Sequence, residues 1–273
     1  MNYMKQKDQN SLRLNQTQQK LAKAASRAPH TYSEDGFLRF NDQIMVKACQ
    51  TNGWLVTNIW DKITGSEEAY AVTATKQNVG PIARSVFILE KAAEDGAPDN
   101  CVRYGQDIRL VTNRVMMNKP LYLQSLPLSP LVYAKFSRNQ EVSVASRKTY
   151  NTVWRIQPTA GVREDRRGEP VNARDVVILE HVATSQYLSN DEIMYCNAFG
   201  KETEVSALNK ATKAKTQILA NENNGTQVRE NVHKAIDKQN FFQFVFSSDP
   251  AAAEPVVEAP KMTPAELLQA LKS

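Results

Sequence analysis

Short stretches in which apolar and polar residues alternate recur along the chain. Residues 40–56 read FNDQIMVKACQTNGWLV, residues 104–123 read YGQDIRLVTNRVMMNKPLYL, and residues 174–188 read RDVVILEHVATSQYL. Alternation with a period of two is typical of a β-strand that buries one face. Each stretch is therefore predicted to begin with a strand. The alternating apolar positions are Ile44 and Val46, Ile108 and Leu110, and Val176 and Ile178.

Each of these strands is followed by three more in the same order. A polar turn leads to a second apolar pair, which predicts a hairpin. The second pairs are Trp54/Val56, Leu121/Leu123 and Tyr187/Leu188, the third strands are predicted at 69–74, 141–146 and 204–208, and the fourth at 86–90, 153–157 and 241–246. Ile44 and Ile108 are 64 residues apart, and Ile108 and Val176 are 68 apart. The chain is therefore predicted to contain three copies of one four-stranded unit.

Twelve short strands in three equivalent sets can hide their edges by closing into a barrel. The predicted fold is all-β, a β-trefoil with repeats at about 37–90, 102–157 and 170–247. The alternative is a β-sandwich whose strands resemble one another by accident. The predicted inward side chains are Ile44, Ile108 and Val176, with Phe87, Trp154 and Phe242 filling layers between the units.

The two ends of the chain differ from the β-trefoil domain predicted at 32–248. Residues 1–31 form a basic arm, extended or helical, in which Leu12, Leu14, Leu21 and Ala24 have weak helical spacing. Residues 209–240 interrupt the third unit as a polar insertion without strand alternation. Residues 249–273 begin as a Pro/Ala tether and end in a short helix that starts with a capping box at Thr263. The apolar stripe of this helix needs a surface, either the barrel or a partner, and comprises Leu267, Leu268 and Leu271.

The positive charge of the protein belongs to the arm. The 273-residue chain has a formal charge of +5, and residues 1–30 alone carry six cations against Asp8. Such an arm suits a polyanionic surface, including an acidic protein polymer, whereas the absence of interleaved aromatic residues argues against binding nucleic acid. The predicted partner-binding cations of the arm are Lys5, Lys7, Arg13, Lys20, Lys23 and Arg27.

Hydropathy and cysteine content indicate the cellular compartment in which the protein is expected. The mean hydropathy is −0.49, and no stretch approaches the ~20 apolar residues that span a bilayer, so no membrane contact is expected. The N-terminal residues lack the apolar run of a secretory signal. Three widely spaced cysteines favour reduced thiols in the cytoplasm over a disulfide framework.

Catalytic motifs are scarce. The three histidines have no zinc-site spacing, and no phosphate-binding loop or nucleophile elbow occurs. His181 is interpreted as a hairpin-tip residue. We therefore expect no enzymatic activity, no catalytic residue, no metal site and no cofactor. Within the mixed-charge run at 163–169, Arg166 and Arg167 are candidate contacts for an acidic partner.

Several motifs carry a family resemblance. The stretch LEHVATSQYL at 179–188 looks like the MIR-type trefoil repeat. The order of five further motifs resembles the cilia- and flagella-associated protein 161 family over about residues 32–247. These are SEDGFLRFND (33–42), YGQDIRL (104–110), KPLYLQS (119–125), GEPVNARD (168–175) and FGKETEVSA (199–207).

The resemblance implies a non-enzymatic component of the ciliary axoneme. Members of this family are microtubule inner proteins, so the implied partners are α/β-tubulin and other inner proteins in the lumen of the doublet A-tubule. On this view the arm, the 209–240 insertion and the C-terminal helix supply most contacts, and the barrel is a spacer. The main alternative is a MIR-like trefoil lectin or glycan-binding module, and a third is a trefoil that binds actin or nucleic acid.

Overall fold

A computed structural model describes residues 13–63, 68–77, 80–93, 99–159, 166–208, 223–225 and 236–248. These residues form twelve β-strands and one α-helix, so the all-β prediction is confirmed. The helix α1 spans Arg13–Ala24, and 3-10 turns occur at Tyr150–Thr152 and Lys238–Asn240. The strands are β1 Gln43–Ala48, β2 Trp54–Lys62, β3 Ala69–Thr75, β4 Val86–Lys91, β5 Asp107–Thr112, β6 Tyr122–Ser125, β7 Gln140–Ala145, β8 Trp154–Pro158, β9 Val176–His181, β10 Gln186–Asn197, β11 Gly200–Ala207 and β12 Phe242–Val245.

Six strands pair into a closed antiparallel ring. Strand β1 pairs with β4, β4 with β5, β5 with β8, β8 with β9, β9 with β12, and β12 with β1. Closure leaves no unpaired edge on these six strands. Each unit thus contributes its first and fourth strands to the ring.

The other six strands form three hairpins, β2–β3, β6–β7 and β10–β11. Their second strands also contact one another, because β3 pairs with β7, β7 with β11, and β11 with β3. The same order of pairing is therefore used three times along the chain. We call the side of the molecule formed by these hairpins the hairpin face.

One cross-strand pair recurs in each unit and forms the centre of the core. Ile44 lies opposite Phe87, and Ile108 lies opposite Trp154. In the third unit Val177 lies opposite Phe242. All six side chains are fully buried in one hydrophobic cluster. Burying each contributes roughly 1.5–3 kcal/mol.

The predicted inward position of Val176 is wrong. Val176 is 37% exposed, whereas Val177 and Leu179 are fully buried. The stretch VVIL contains four consecutive apolar residues, so its pattern does not show which alternate side chains face the core. A shift by one residue then exchanges the two faces of the strand.

His181 also differs from its interpretation as a hairpin-tip residue. It is the last residue of β9 and is fully buried. Its Nε2 lies 2.9 Å from the carbonyl oxygen of Asn151, and its Nδ1 lies 2.8 Å from the Thr184 hydroxyl. The imidazole packs on the indole of Trp154, with ring centroids 5.0 Å apart. Burial lowers the pKa of His181, so this residue belongs to the core.

The described part of the arm packs on the closed sheet. Helix α1 lies within the arm that was expected to be extended or helical, and its last residue, Ala24, is fully buried. Ala28 is also buried and donates its backbone N–H to the carbonyl oxygen of Pro81 at 3.0 Å. Buried His30 contacts the carbonyl oxygen of Val245 through Nε2 at 2.9 Å. This packing fixes the C-terminal end of the arm.

Candidate partner-binding surfaces

The arm presents cations to solvent on its described residues. Lys20 and Lys23 on α1, and Arg27 after it, are all exposed. Within the described residues, none of these three side chains forms a salt bridge. Arg13 is the first residue of α1. Lys5 and Lys7 lie outside the described residues.

Arg166 is already neutralised within the protein. Its guanidinium forms ion pairs with Glu169 and Asp175, both at 2.9 Å. It also stacks over the ring of Tyr104 at 4.6 Å. These carboxylates raise the pKa of Arg166, and an acidic partner would have to compete with them for its guanidinium. Arg167 is exposed and is the better placed of the two predicted contacts.

The other predicted contacts cannot be placed. Leu267, Leu268 and Leu271 lie outside the described residues. Of the 209–240 insertion, only residues 223–225 and 236–240 are described. The contact roles assigned to these segments remain predictions.

The hairpin face contains a cleft that the sequence analysis missed. The cleft has a volume of about 410 Å³ and is formed by β2, β3, β7, β10, β11 and the β6–β7 connection. Its lining combines carboxylates and tyrosines with the basic side chains Lys62, Lys135 and Arg138. Glu204 anchors that connection by accepting the backbone N–H groups of Phe136 and Ser137, both at 2.8 Å. Glu141 stands beside it, and burial together with the charge of Glu204 raises the pKa of Glu141 to about 7. The Glu141 carboxyl group is therefore readily protonated near neutral pH.

A buried ion pair lies deeper on the same face. The Arg84 guanidinium is 2.7 Å from a Glu202 oxygen, and both side chains are almost fully buried. Glu202 also accepts hydrogen bonds from Thr73 at 2.7 Å and from Asn197 at 2.5 Å. The Phe199 ring lies 3.6 Å from the guanidinium carbon. Every partner of Glu202 comes from β3, β10 or the segment before β4, so this cluster joins the first and third units.

The same face carries exposed apolar side chains, which the sequence analysis also missed. Leu128, Leu131 and Phe136 are 60%, 86% and 44% exposed. The signal was present in the sequence as LPLSPLVYAKF, an apolar run that contains two prolines and has no strand alternation. A connection of this composition is unusual, because loops are generally polar.

The described residues contain no cluster of candidate metal ligands. Among them, no three His, Cys, Asp or Glu side chains come together as metal ligands. Cys49, Cys101 and Cys196 are all free thiols. No described helix is both long enough and apolar enough to cross a bilayer.

Solved structures define the class of fold. A Caenorhabditis elegans protein of unknown function shares 15% identity with a TM-score of 0.56, over 79% of this chain and 99% of that one. The SDF2-like protein from Arabidopsis thaliana shares 18% identity with a TM-score of 0.52, over 77% of this chain and 94% of that one. The S. cerevisiae Pmt1–Pmt2 protein O-mannosyltransferase complex aligns with a TM-score of 0.52 at 16% identity, over 90% of this chain and 30% of that one. The chain thus shares its all-β fold with these proteins, and at these identities the likeness concerns the fold alone.

Curated relatives confirm the expected resemblance. Cilia- and flagella-associated protein 161 of Danio rerio is 27% identical over 197 residues, and the aligned region covers 64% of each chain. The Bos taurus protein of the same name is 25% identical over 195 residues, which cover 64% of this chain and 59% of that one. The chain thus spans less than two thirds of the length of these relatives. No family model matches the chain.

Proposed function

We propose that this protein is a non-enzymatic structural component of the ciliary axoneme, a microtubule inner protein that binds tubulin in the lumen of the doublet A-tubule. The observation that carries the proposal is the resemblance to cilia- and flagella-associated protein 161 in two vertebrates. On this proposal the protein works in the cytoskeleton beside other inner proteins, where it stabilises the doublet.

We further propose that the closed sheet is a β-trefoil. Three observations support this assignment. The six-stranded ring takes the first and fourth strand of each unit. Three hairpins meet one another through their second strands. The buried pairs Ile44–Phe87, Ile108–Trp154 and Val177–Phe242 occupy the same register in all three units.

The charge of the arm suits an acidic polymer such as tubulin. Lys20, Lys23 and Arg27 project from a segment whose end is fixed to the closed sheet by Ala24 and Ala28. Exposed cations increase the rate of encounter with an acidic surface, and this effect weakens as salt screens it. Further contacts from the tails would raise the overall affinity through effective concentration.

Co-assembly with purified tubulin tests this proposal. The full chain is present while microtubules polymerise, so that lumenal sites are accessible, and the pellets are compared with those from actin filaments and RNA. We expect the chain in the microtubule pellet only. A variant in which Lys20, Lys23 and Arg27 are changed to Gln is expected to bind more weakly at low salt.

A matched control removes three exposed cations elsewhere, at Lys76, Arg174 and Lys201. If the two triple variants lose the same affinity, the arm has no special role. If the wild-type chain stays in the supernatant, the tubulin-binding proposal is wrong.

One observation favours a glycan-binding module as a second candidate. The cleft on the hairpin face places Tyr133 and Tyr195 beside Glu141 and Glu204, and sugar sites combine aromatic rings with a few polar groups. A glycan array separates the two candidates. Our proposal predicts no glycan bound above background, and a saturable glycan signal that is lost in Tyr133→Ala would favour the alternative.

A further inference from the structure

The connection between β6 and β7 is longer than the connections in the other two hairpins. It contains fourteen residues, 126–139, whereas six residues join β2 to β3 and two join β10 to β11. We call this connection the apolar loop. From the first residue of the first strand to the last residue of the second, the three hairpins contain 22, 24 and 22 residues. The short strands β6 and β7 therefore leave more of the second hairpin in its connection. Long connections in compact domains are commonly functional.

The apolar loop is held in one conformation by its own hydrogen bonds and by the sheet. Ser129 and Val132 exchange backbone hydrogen bonds at 3.1 and 3.2 Å, and Ala134 donates to the carbonyl oxygen of Asn139 at 2.8 Å. Glu204 accepts the N–H groups of residues 136 and 137, and the Phe136 ring packs on Tyr195 with centroids 4.8 Å apart. A partner that binds this loop would therefore lose little conformational entropy in ordering it.

The leucines of this ordered loop point to solvent. Leu131 is 86% exposed and Leu128 is 60% exposed. Leu128 lines a shallow apolar surface with Pro130 and Tyr133, and Leu131 lines the cleft of about 410 Å³ that also includes Tyr133. Ordered apolar side chains that a protein leaves in water mark interaction sites when they are grouped.

The charges around the apolar loop indicate an acidic partner. Arg138 stacks over Tyr133 at 4.4 Å and Lys135 lies 5.6 Å from the Phe136 ring. Both cations are exposed, and neither forms a salt bridge with a residue that the structure describes. Such a site offers an apolar centre with a cationic rim, which matches the usual plan of a protein interface.

A uniformly anionic bilayer fits this surface less well than a protein does. The cleft that the loop itself lines contains the carboxylates Asp61, Glu141 and Glu204 together with the cations Lys62, Lys135 and Arg138, so charges of both signs lie side by side on this surface. A protein surface can place its carboxylates opposite Lys135 and Arg138 alone. Electrostatic complementarity of this kind selects a partner and fixes its orientation.

We propose that the apolar loop is a preformed contact site through which the closed sheet itself binds an acidic protein surface. The inference rests on the proposed function, under which that surface belongs to tubulin. It gives the barrel a binding role of its own, whereas the sequence predicted a spacer between an N-terminal arm and a C-terminal helix that make the contacts. The leucines supply the buried contact, and the two cations orient it.

The test compares variants of the full chain in tubulin co-assembly. Leu128→Ser with Leu131→Ser is expected to weaken the apparent Kd about tenfold or more, because both side chains lose their buried contact. Lys135→Gln with Arg138→Gln is expected to weaken binding less, and mainly at low salt. Met194→Ser is the matched control, since Met194 is 59% exposed on the neighbouring hairpin. Circular dichroism melting confirms that each variant is folded.

The outcomes separate this inference from the proposed function. If the wild-type chain binds and the double leucine variant binds equally well, the inference is wrong and the proposed function stands. If the wild-type chain fails to bind tubulin, both are wrong. Flotation of the wild-type chain with phosphatidylserine vesicles, lost in the leucine variant, would overturn the protein-partner assignment. So would a dimer in analytical ultracentrifugation that the same variant abolishes.

Discussion

Val177 on β9 and Phe242 on β12 lie directly opposite each other, and both side chains are fully buried. The neighbouring Val176, one position earlier on the same strand, is 37% exposed. Substitutions at these two valines can therefore test the register of β9. The same residue type lies on opposite faces of one strand.

The valine pair gives the first prediction. Val177→Ala should lower the free energy of unfolding by about 2 kcal/mol, because it removes buried methyl groups and leaves a cavity. Val176→Ala should change it by less than about 0.5 kcal/mol, as expected of a surface substitution. Urea denaturation followed by circular dichroism measures both values. Equal losses in the two variants would contradict the register described for β9.

Trp154 gives the second prediction. Its indole N–H donates to the carbonyl oxygen of Leu123 at 2.9 Å, and its ring packs on His181 at the centre of the core. Trp154→Ala should therefore cost about 3–5 kcal/mol, enough to unfold a domain of ordinary stability. Trp154→Phe keeps most of the apolar volume, so it should cost less than Trp154→Ala. It should still destabilise the protein, because the carbonyl oxygen of Leu123 loses the indole N–H. A melting temperature that Trp154→Ala leaves unchanged would refute this packing.

The buried pair of Arg84 and Glu202 gives the third prediction. Arg84→Met leaves the Glu202 carboxylate buried without its cation and should cost about 3–5 kcal/mol. The double variant Arg84→Met with Glu202→Leu removes both charges and should recover part of that loss. Denaturation of the two single variants and the double variant gives the coupling energy of the pair. A coupling energy near zero would mean that the two side chains do not interact in the folded protein.

Glu141 gives the fourth prediction, which concerns pH. Its pKa is raised from 4.5 to about 7 by burial first and by Glu204 second. Between these values the folded state binds more protons at this site than the unfolded state, so the contribution of Glu141 to stability falls as the pH rises from about 4.5 to 7. Glu141→Gln removes this penalty. It should stabilise the protein by about 1–2 kcal/mol at pH 8, a value reduced for partial solvent exposure, and by little at pH 4.5.

The control for the pH experiment is Glu192→Gln, since Glu192 is an exposed carboxylate on β10. It should leave the pH dependence of stability unchanged. Stability measured by urea denaturation between pH 4.5 and pH 8 distinguishes the two variants. Parallel curves for Glu141→Gln and the wild-type chain would show that the carboxyl group of Glu141 is not perturbed in the folded protein.

The strands could be predicted from the sequence because each unit buries one face in a period of two. The predicted pairs Ile44/Val46 and Ile108/Leu110 lie in the core, and all four strand types occur three times in the predicted order. The exception is β9, where an unbroken apolar run does not show which face of the strand is buried. The register there depends on the pairing of Val177 with Phe242, which is a contact between residues far apart in sequence.

The candidate sites could be predicted only in part. The charge of the arm can be counted from the sequence, and Lys20, Lys23 and Arg27 are exposed, but their contacts with a partner stay a prediction. The internal pairing of Arg166 depends on Asp175, which is brought to it by the fold. The exposure of Leu131 could not be predicted either, because composition alone does not distinguish an apolar loop that packs inward from one that faces solvent.

The most direct test of the account is the location of the protein in a ciliated cell. A tagged full chain is expressed, and its cilia are isolated and extracted with detergent and then with high salt. We expect the chain to enter the cilium and to remain with the axoneme through both extractions, as a component held inside the doublet would. Absence from the cilium, or full release by detergent alone, would contradict a structural role on the axonemal microtubule.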